Sequence, residues 1–219
     1  MSLPSWARRL EQVVPTVDAG DLSRFVPPPG TEHRRAAVLM LFGPGEAGAG
    51  EVVLLERSAD LRSHAGQVAV PGGAIDPGET PEQAALREAD EETSLDPTAV
   101  RVLGSLPELY LPPSGFAVTP VVAWWERPHE LAVRDPVEVA RVARVPLPEL
   151  LDPANRFSTE LRGFRGPGFT AGGLFVWGFT AGLLSRLLDV AGIGEPWDED
   201  RVLPVPAAQL REVEHQVEP

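Results

Sequence analysis

Glu88, Glu91 and Glu92 are acidic side chains three and one residues apart, in a stretch that opens with strong helix-start signals. Thr80 can serve as the N-cap, Pro81 suits the first helical position and Gln83 completes a capping box, so a helix is predicted over Pro81 to Thr93. On a wheel of about 100° per residue, with Glu88 at zero, Glu91 falls near 300° and Glu92 near 40°. The three carboxylates thus share one arc. Leu86, Ala89 and Thr93 share another that can face a sheet, and Asp90 points to solvent. Like charges at these spacings cost an isolated helix a few tenths of a kcal/mol, and Glu91 and Glu92 also sit at the negative end of the helix dipole. A solvated acidic face is the simplest account of such a run taken alone. The chemical account is a hard divalent cation, because Mg²⁺ or Mn²⁺ takes oxygen ligands from a few carboxylates together with substrate phosphates and water.

The elements that must position these residues are legible around them. Two β-like runs, Ala36 to Phe42 and Glu51 to Arg57, flank a glycine-rich link and are expected to pair as antiparallel neighbours. A short run, Gln67 to Val70, ends at Pro71-Gly72-Gly73, where proline removes a ladder donor and glycine permits unusual backbone angles. Arg101 to Leu106, Phe116 to Trp125, Arg141 to Val145 and Leu174 to Trp177 are further strand candidates. Thr180 to Ala191 reads as a helix burying Leu183, Leu184, Leu187 and Leu188, and Pro4 to Val14 as one with Trp6, Leu10 and Val13 on one face. The expected organisation is an N-terminal helical arm and Pro-rich linker over residues 1–30, a catalytic domain over 31–194, and a polar, loosely held tail over 195–219. Trp124, Trp125 and Trp177, at strand ends, are expected in the core rather than stacked on a base.

Composition narrows the classes of function. With 19 basic and 32 acidic side chains among 219 residues the net charge is −13, which works against sequence-independent binding of nucleic acid. Every basic side chain is arginine, a group shaped to grip phosphate or carboxylate in a bidentate way. Cysteine is absent, which excludes disulfides, thiolate metal sites and a cysteine nucleophile and fits a reducing, cytoplasmic setting. The first twelve residues have no apolar run and carry Arg8, Arg9 and Glu11, so no signal peptide is read there. Gly166 to Ser185 is uncharged and long enough to cross a bilayer. Its six glycines and one proline fit a strand, a turn and a helix start instead, and no membrane partner is expected.

From Gly73 to Leu95 the chain reads G-A-I-D-P-G-E-T-P-E-Q-A-A-L-R-E-A-D-E-E-T-S-L. This resembles the Nudix hydrolase signature, G-x5-E-x7-R-E-U-x-E-E-x-G-U, with Gly73, Glu79, Arg87, Glu88, Glu91 and Glu92 in register and Ala89 and Leu95 at the apolar positions. Ser94 replaces the last glycine, at a place where glycine would ease a left-handed helix end. The resemblance implies an α/β/α sandwich with a mixed sheet. It also implies divalent ions, Mg²⁺ or Mn²⁺, held by Glu88, Glu91 and Glu92 with a backbone carbonyl near Gly73, and an acidic cluster oriented by Arg87 and Glu79. Glu138, shortly before Arg144-Val145-Pro146-Leu147, stands where many Nudix enzymes place a further glutamate, and reads either as a candidate general base or as a solvated loop acid. Bound cations would let an acidic protein take a polyanionic substrate.

Upstream, Val53 to Gly73 reads V-L-L-E-R-S-A-D-L-R-S-H-A-G-Q-V-A-V-P-G-G, similar to the element L-L-T-x-R-S-x3-R-x3-G-x3-F-P-G-G of the coenzyme A pyrophosphatase branch. Arg57, Ser58, Arg62, Gly66, Pro71, Gly72 and Gly73 agree, while Leu55 and Val70 replace threonine and phenylalanine. Trp177-Gly178-Phe179-Thr180-Ala181 also resembles that branch. The implied reaction is hydrolysis of coenzyme A or acyl-coenzyme A to 3′,5′-ADP and 4′-phosphopantetheine or its acylated form. Arg57 and Arg62 would then contact phosphate, with Gly72 beside the substrate. His64, in a turn, reads first as a local hydrogen-bonding residue. Leu55 and Val70 keep open a Nudix enzyme acting on ADP-ribose, a dinucleotide or a nucleoside triphosphate. A ligand-binding protein without turnover is the other alternative, which the complete glutamate set opposes. The resemblance also admits a homodimer.

Overall fold

β1 (Arg34–Gly43) lies at the centre of the sheet, and its nearly unbroken apolar run is what a strand covered on both faces requires. The computed structural model describes residues 3–210 apart from residues 24, 26, 28–32, 62 and 113. Most of the Pro-rich linker, Arg62 and residues 211–219 therefore lie outside the described residues. In chain order the elements before and including the acidic helix are α1 (Ser5–Val13), α2 (Ala19–Leu22), β1, β2 (Glu51–Arg57), β3 (Val68–Ala69), β4 (Gly72–Ala74) and α3 (Pro81–Thr93). They are followed by β5 (Val100–Ser105), β6 (Leu109–Leu111), β7 (Phe116–Trp125), β8 (Val139–Pro146) and α4 (Leu147–Leu151). The chain then forms β9 (Arg156–Leu161), β10 (Phe164–Ala171), β11 (Leu174–Val176) and α5 (Gly178–Val190).

The main sheet is mixed, as expected. β1 runs parallel to β7 from Arg34 beside Phe116 to Phe42 beside Trp124, while β5 and β6 pair antiparallel to β7. β1 and β2 are antiparallel neighbours only at Phe42–Val52 and Gly43–Glu51. Beyond that point they part. β2 continues against β3 through Leu55–Ala69 and Glu56–Val68, and β1 continues against β4 through Ala36–Ala74 to Val38–Gly72. Residues 68–74 thus pass from β2 to β1 across the split, with Pro71 accepting the Leu39 N–H at 2.7 Å. The catalytic signature begins in this split.

Two apolar cores lie on opposite faces of the sheet. One joins Leu39, Leu41, Val53 and Trp125 to Ala84, Ala85 and Ala89 of α3. The other joins Met40, Phe42, Leu54 and Trp124 to α1, α5 and Phe169. Helices therefore cover both sides, giving the layered α/β/α arrangement. Trp6 packs edge-on against Phe42 and Trp124, so the arm expected at the N-terminus is part of the second core. Trp124 and Trp125 are buried, as expected.

A three-stranded sheet, β11-β10-β9, was not read from the sequence beyond Leu174–Trp177. Its strands carry Gly166, Pro167 and Gly168 in β10, residues whose local preferences hide a strand that tertiary pairing creates. The tail is also not loose as far as the structure describes it. Ser158 donates its N–H to Arg201 O at 2.8 Å and accepts from Leu203 N–H at 2.9 Å, and Val205 and Gln209 are buried. Among the described residues no helix is long and apolar enough to cross a membrane.

Candidate active site

α3 forms as its sequence dictates. Thr80 Oγ1 accepts from Gln83 N–H and the Gln83 side chain accepts from Thr80 N–H, closing the capping box. Ala84, Ala85 and Ala89 bring the helix close to the sheet. That close approach decides the fate of the glutamates. Glu92 falls on the buried face and is only 5% exposed, Glu88 is half-buried, and Glu91 projects outward. The single carboxylate arc read from the wheel is therefore divided by the sheet. Asp90 lies toward solvent and pairs with Arg134 at 2.6 Å.

Arg87 is the hub of the site. Its Nε and Nη2 take both carboxylate oxygens of Glu79, at 2.8 and 3.1 Å. Nη1 donates to Glu88 at 2.9 Å and Glu91 at 3.3 Å, and Nη2 also donates to the Ala74 carbonyl at 3.0 Å. Glu79 accepts the Asp76 N–H at 2.9 Å, so one guanidinium fastens the 74–79 loop to the helix. The Arg87 guanidinium in turn holds the Glu79 carboxyl below the usual carboxylate range. Arg87 and Glu79 thus form a bidentate bridge. Sequence reading missed the Ala74 carbonyl, since a backbone acceptor leaves no trace in residue type.

Gly73 and Gly72 make room at the split. A Cβ on Gly73 would lie 2.5 Å from the Glu88 carboxylate, so that carboxylate rests directly against bare backbone. Gly72 gives its N–H to Glu92 Oε2 at 2.9 Å. The N–H of Gly72, a residue expected beside substrate, is therefore engaged by the helix.

The remaining residues arrive through strand pairing. Arg57, at the end of β2, lies beside Val139 across the β2–β8 ladder, after a bulge at Glu56/Arg57. Ser58 N–H donates to the Glu138 carbonyl at 2.8 Å, tying the segment after Arg57 to the segment before β8. Glu138 is exposed, and its charge reaches both Glu88 and Glu92. The structure therefore brings together Arg57, Glu88, Glu92 and Glu138, from three distant parts of the chain. Arg57 Nε is buried and has no hydrogen-bond partner among the described residues. His64 makes the local contact expected of it, Nδ1 to Gln67 Oε1 at 3.0 Å. The Arg62 assignment lies outside the described residues.

Burial pushes the Glu92 carboxyl up to about 7, against the opposing effects of the Gly72 N–H and the Arg57 charge. Burial also raises Glu88, against the pull of Arg87. Two desolvated carboxylates, with Glu138 adding repulsion, form a site that favours either protons or a cation. Among the described residues no three acidic or histidine side chains are gathered as a ready-made metal cage. The reason is visible: Arg87 draws Glu88 and Glu91 to itself while Glu92 turns to Gly72. The donor set nevertheless fits a hard cation, being all oxygen, with Glu88, Glu91, Glu92 and Glu138 outnumbering the nearby Arg57 and Arg87.

Fold and site together define a hydrolase of the Nudix class. Residues 31–162 match the NUDIX domain model, and the chain belongs to the Nudix hydrolase family. The protein called Uncharacterized Nudix hydrolase NudL from Escherichia coli K12 is 38% identical over 172 residues, covering 74% of this chain and 84% of its own length. The crystal structure of the Nudix hydrolase RenU from M. smegmatis matches with a TM-score of 0.54 at 25% identity, over 76% of this chain and 91% of that one. A MutT/nudix family protein from Enterococcus faecalis shares the fold, with a TM-score of 0.51 at 13% identity, over 86% of this chain and 74% of that one. Nudix hydrolases generally use divalent metal ions.

Proposed function

We propose that the protein hydrolyses the diphosphate of coenzyme A or acyl-coenzyme A, yielding 3′,5′-ADP and 4′-phosphopantetheine or its acylated form, with Mg²⁺ or Mn²⁺. The observation that carries this reading is Arg57, whose charge lies within electrostatic reach of Glu92 and whose buried Nε has no hydrogen-bond partner among the described residues. It also opens the R-S-x3-R-x3-G element that runs into Pro71-Gly72-Gly73. A guanidinium beside an acidic cluster that favours a cation suits a diphosphate.

In this reading Glu88, Glu91 and Glu92, with a backbone carbonyl near Gly73, would hold the divalent ions. The ions, when bound, neutralise charge on the diphosphate and make a bound water more acidic. Arg57 and Arg62 grip substrate phosphate, with Gly72 beside them. Glu138 accepts the proton of the attacking water as the P–O–P bridge opens. Arg87 and Glu79 keep the 74–79 loop and α3 in fixed register, which would orient the carboxylates toward the ions.

The test is a panel of coenzyme A, an acyl-coenzyme A, ADP-ribose, a dinucleoside polyphosphate and ATP, assayed with Mg²⁺ and with Mn²⁺, with products resolved by chromatography. A kcat/KM for coenzyme A at least tenfold above the others supports the proposal. Preference for ADP-ribose would instead follow the substitutions Leu55 and Val70, and no turnover of any substrate would leave a ligand-binding protein.

A further inference from the structure

The segment before residue 211 reaches back to the loop that follows Arg57. It is anchored on β9 through Ser158 and ends in a short turn, Ala207–Gln209, where Gln209 is 8% exposed despite its polar side chain. The Trp177 indole N–H donates to Gln209 Oε1 at 2.6 Å, and Gln209 Nε2 donates to the Phe175 carbonyl at 3.4 Å. The Gln209 backbone carbonyl accepts from Gln67 Nε2 at 3.3 Å. Gln67 meets His64 through its Oε1, and its own carbonyl accepts the Arg57 N–H at 2.9 Å. An unbroken path of hydrogen bonds therefore joins Trp177, Gln209 and Gln67 to the backbone of Arg57.

Such an outside tie adds to the loop's own hydrogen bonds. His64 and Gly66 both hold positive φ, 58° and 66°, and for His64 that conformation is intrinsically disfavoured. A cavity of about 360 Å³ lies behind the loop, bounded by Glu56, Gly66, Val68, Leu174, Phe175 and Gln209. Leu61 and Gly66 N–H close the loop on the Ser58 carbonyl, both at 3.4 Å, and on the cavity side the bond from Gln67 Nε2 to the Gln209 carbonyl adds a tie from outside it.

We propose that Gln209 is a positioning residue for substrate binding, holding Gln67 and thereby the Arg57 backbone so that the guanidinium faces the diphosphate. The proposal rests on the reading of Arg57 as a phosphate-binding residue. It does not depend on which diphosphate is bound.

The test uses the full chain and four variants: Gln209→Ala, Gln67→Leu, the double variant, and Gln209→Glu, which keeps the acceptor for Trp177. Loss of one such tie is expected to raise KM for coenzyme A about fivefold or more, with kcat within about twofold. The double variant should be no worse than the worse single variant, because both break one path. Gln209→Glu, which keeps the acceptor for Trp177 but loses the donor to the Phe175 carbonyl, should recover only part of the loss. Without any ligand, amide exchange in peptides covering residues 58–67 should quicken about tenfold in Gln209→Ala while α3 keeps its protection. Unchanged KM overturns the proposal even if the loop exchanges faster, and so does loss of protection that spreads through α3. Should the wild-type enzyme ignore coenzyme A and cleave another diphosphate, the substrate reading fails, and KM for that diphosphate decides the role of Gln209.

Discussion

The Glu88 carboxylate lies where the side chain of any residue other than glycine at position 73 would begin, 2.5 Å from an ideal Cβ. Gly73→Ala should therefore push Glu88 aside while the fold survives, because the obstructing group is the end of a flexible side chain. Gly72→Ala differs: its methyl would meet the Ala37 carbonyl at 2.4 Å and the Val38 backbone at 2.6 Å. The expected outcome is hydrolysis reduced at least about tenfold in Gly73→Ala with near-normal melting, against loss of about 1–3 kcal/mol of stability in Gly72→Ala. Thermal melting and turnover, measured side by side, check the contrast.

Arg87 serves Glu79, Glu88, Glu91 and the Ala74 carbonyl at once. A lysine ammonium keeps the charge but not the planar fork that spans these acceptors. Arg87→Lys is expected to weaken Mn²⁺ affinity and turnover roughly 10- to 100-fold, the usual cost of losing a group that orients ligands. Isothermal titration with Mn²⁺ reads the first effect, and a variant matching wild type would remove Arg87 from that role.

Glu92 makes stability depend on pH. Its folded carboxyl titrates near 7 rather than at the ordinary 4.5, so the folded state binds the proton more tightly than the unfolded one. Its contribution is fully present below pH 4.5 and is lost as pH rises through 7, up to about 3 kcal/mol in all. In chelator, melting of the wild type relative to Glu92→Gln should fall by roughly 6–10 °C between pH 5 and pH 8. Mn²⁺ should restore wild-type melting at pH 8 and much less at pH 5, where protons compete. Glu92→Gln should fold and fail to hydrolyse. Equal slopes for the two proteins would remove Glu92 from this account.

Ser94 follows α3 in a left-handed conformation, φ 58° and ψ 31°, with its N–H on the Asp90 carbonyl at 2.9 Å. Glycine adopts that conformation without the Cβ penalty. Ser94→Gly is expected to stabilise the protein by about 1 kcal/mol, raising Tm by roughly 2–4 °C without altering turnover. Calorimetry decides it, and a lower Tm would show that the serine side chain offsets its own backbone strain.

The chemistry was legible in the sequence because it is local. Thr80, Pro81 and Gln83 start α3 through contacts within one turn, and Glu79, Arg87, Glu88, Glu91 and Glu92 are spaced by the period of that helix. Positive φ at residue 94 was likewise foreshadowed by the glycine that Ser94 replaces in the family signature. Tertiary structure decided what spacing along one element cannot encode. The three alanines of α3 let the sheet bury Glu92 and leave Glu91 in solvent, although the wheel places the two in a single arc. Parallel pairing of β1 with β7 and the parting of β1 from β2 open the split that Gly72 and Gly73 occupy. The β2–β8 ladder carries Glu138 to Arg57, and β9 with Ser158 holds the tail that delivers Gln209 to Gln67. Each depends on hydrogen bonds and packing between residues far apart in the chain, whose partners are chosen by the whole core and not by any local preference.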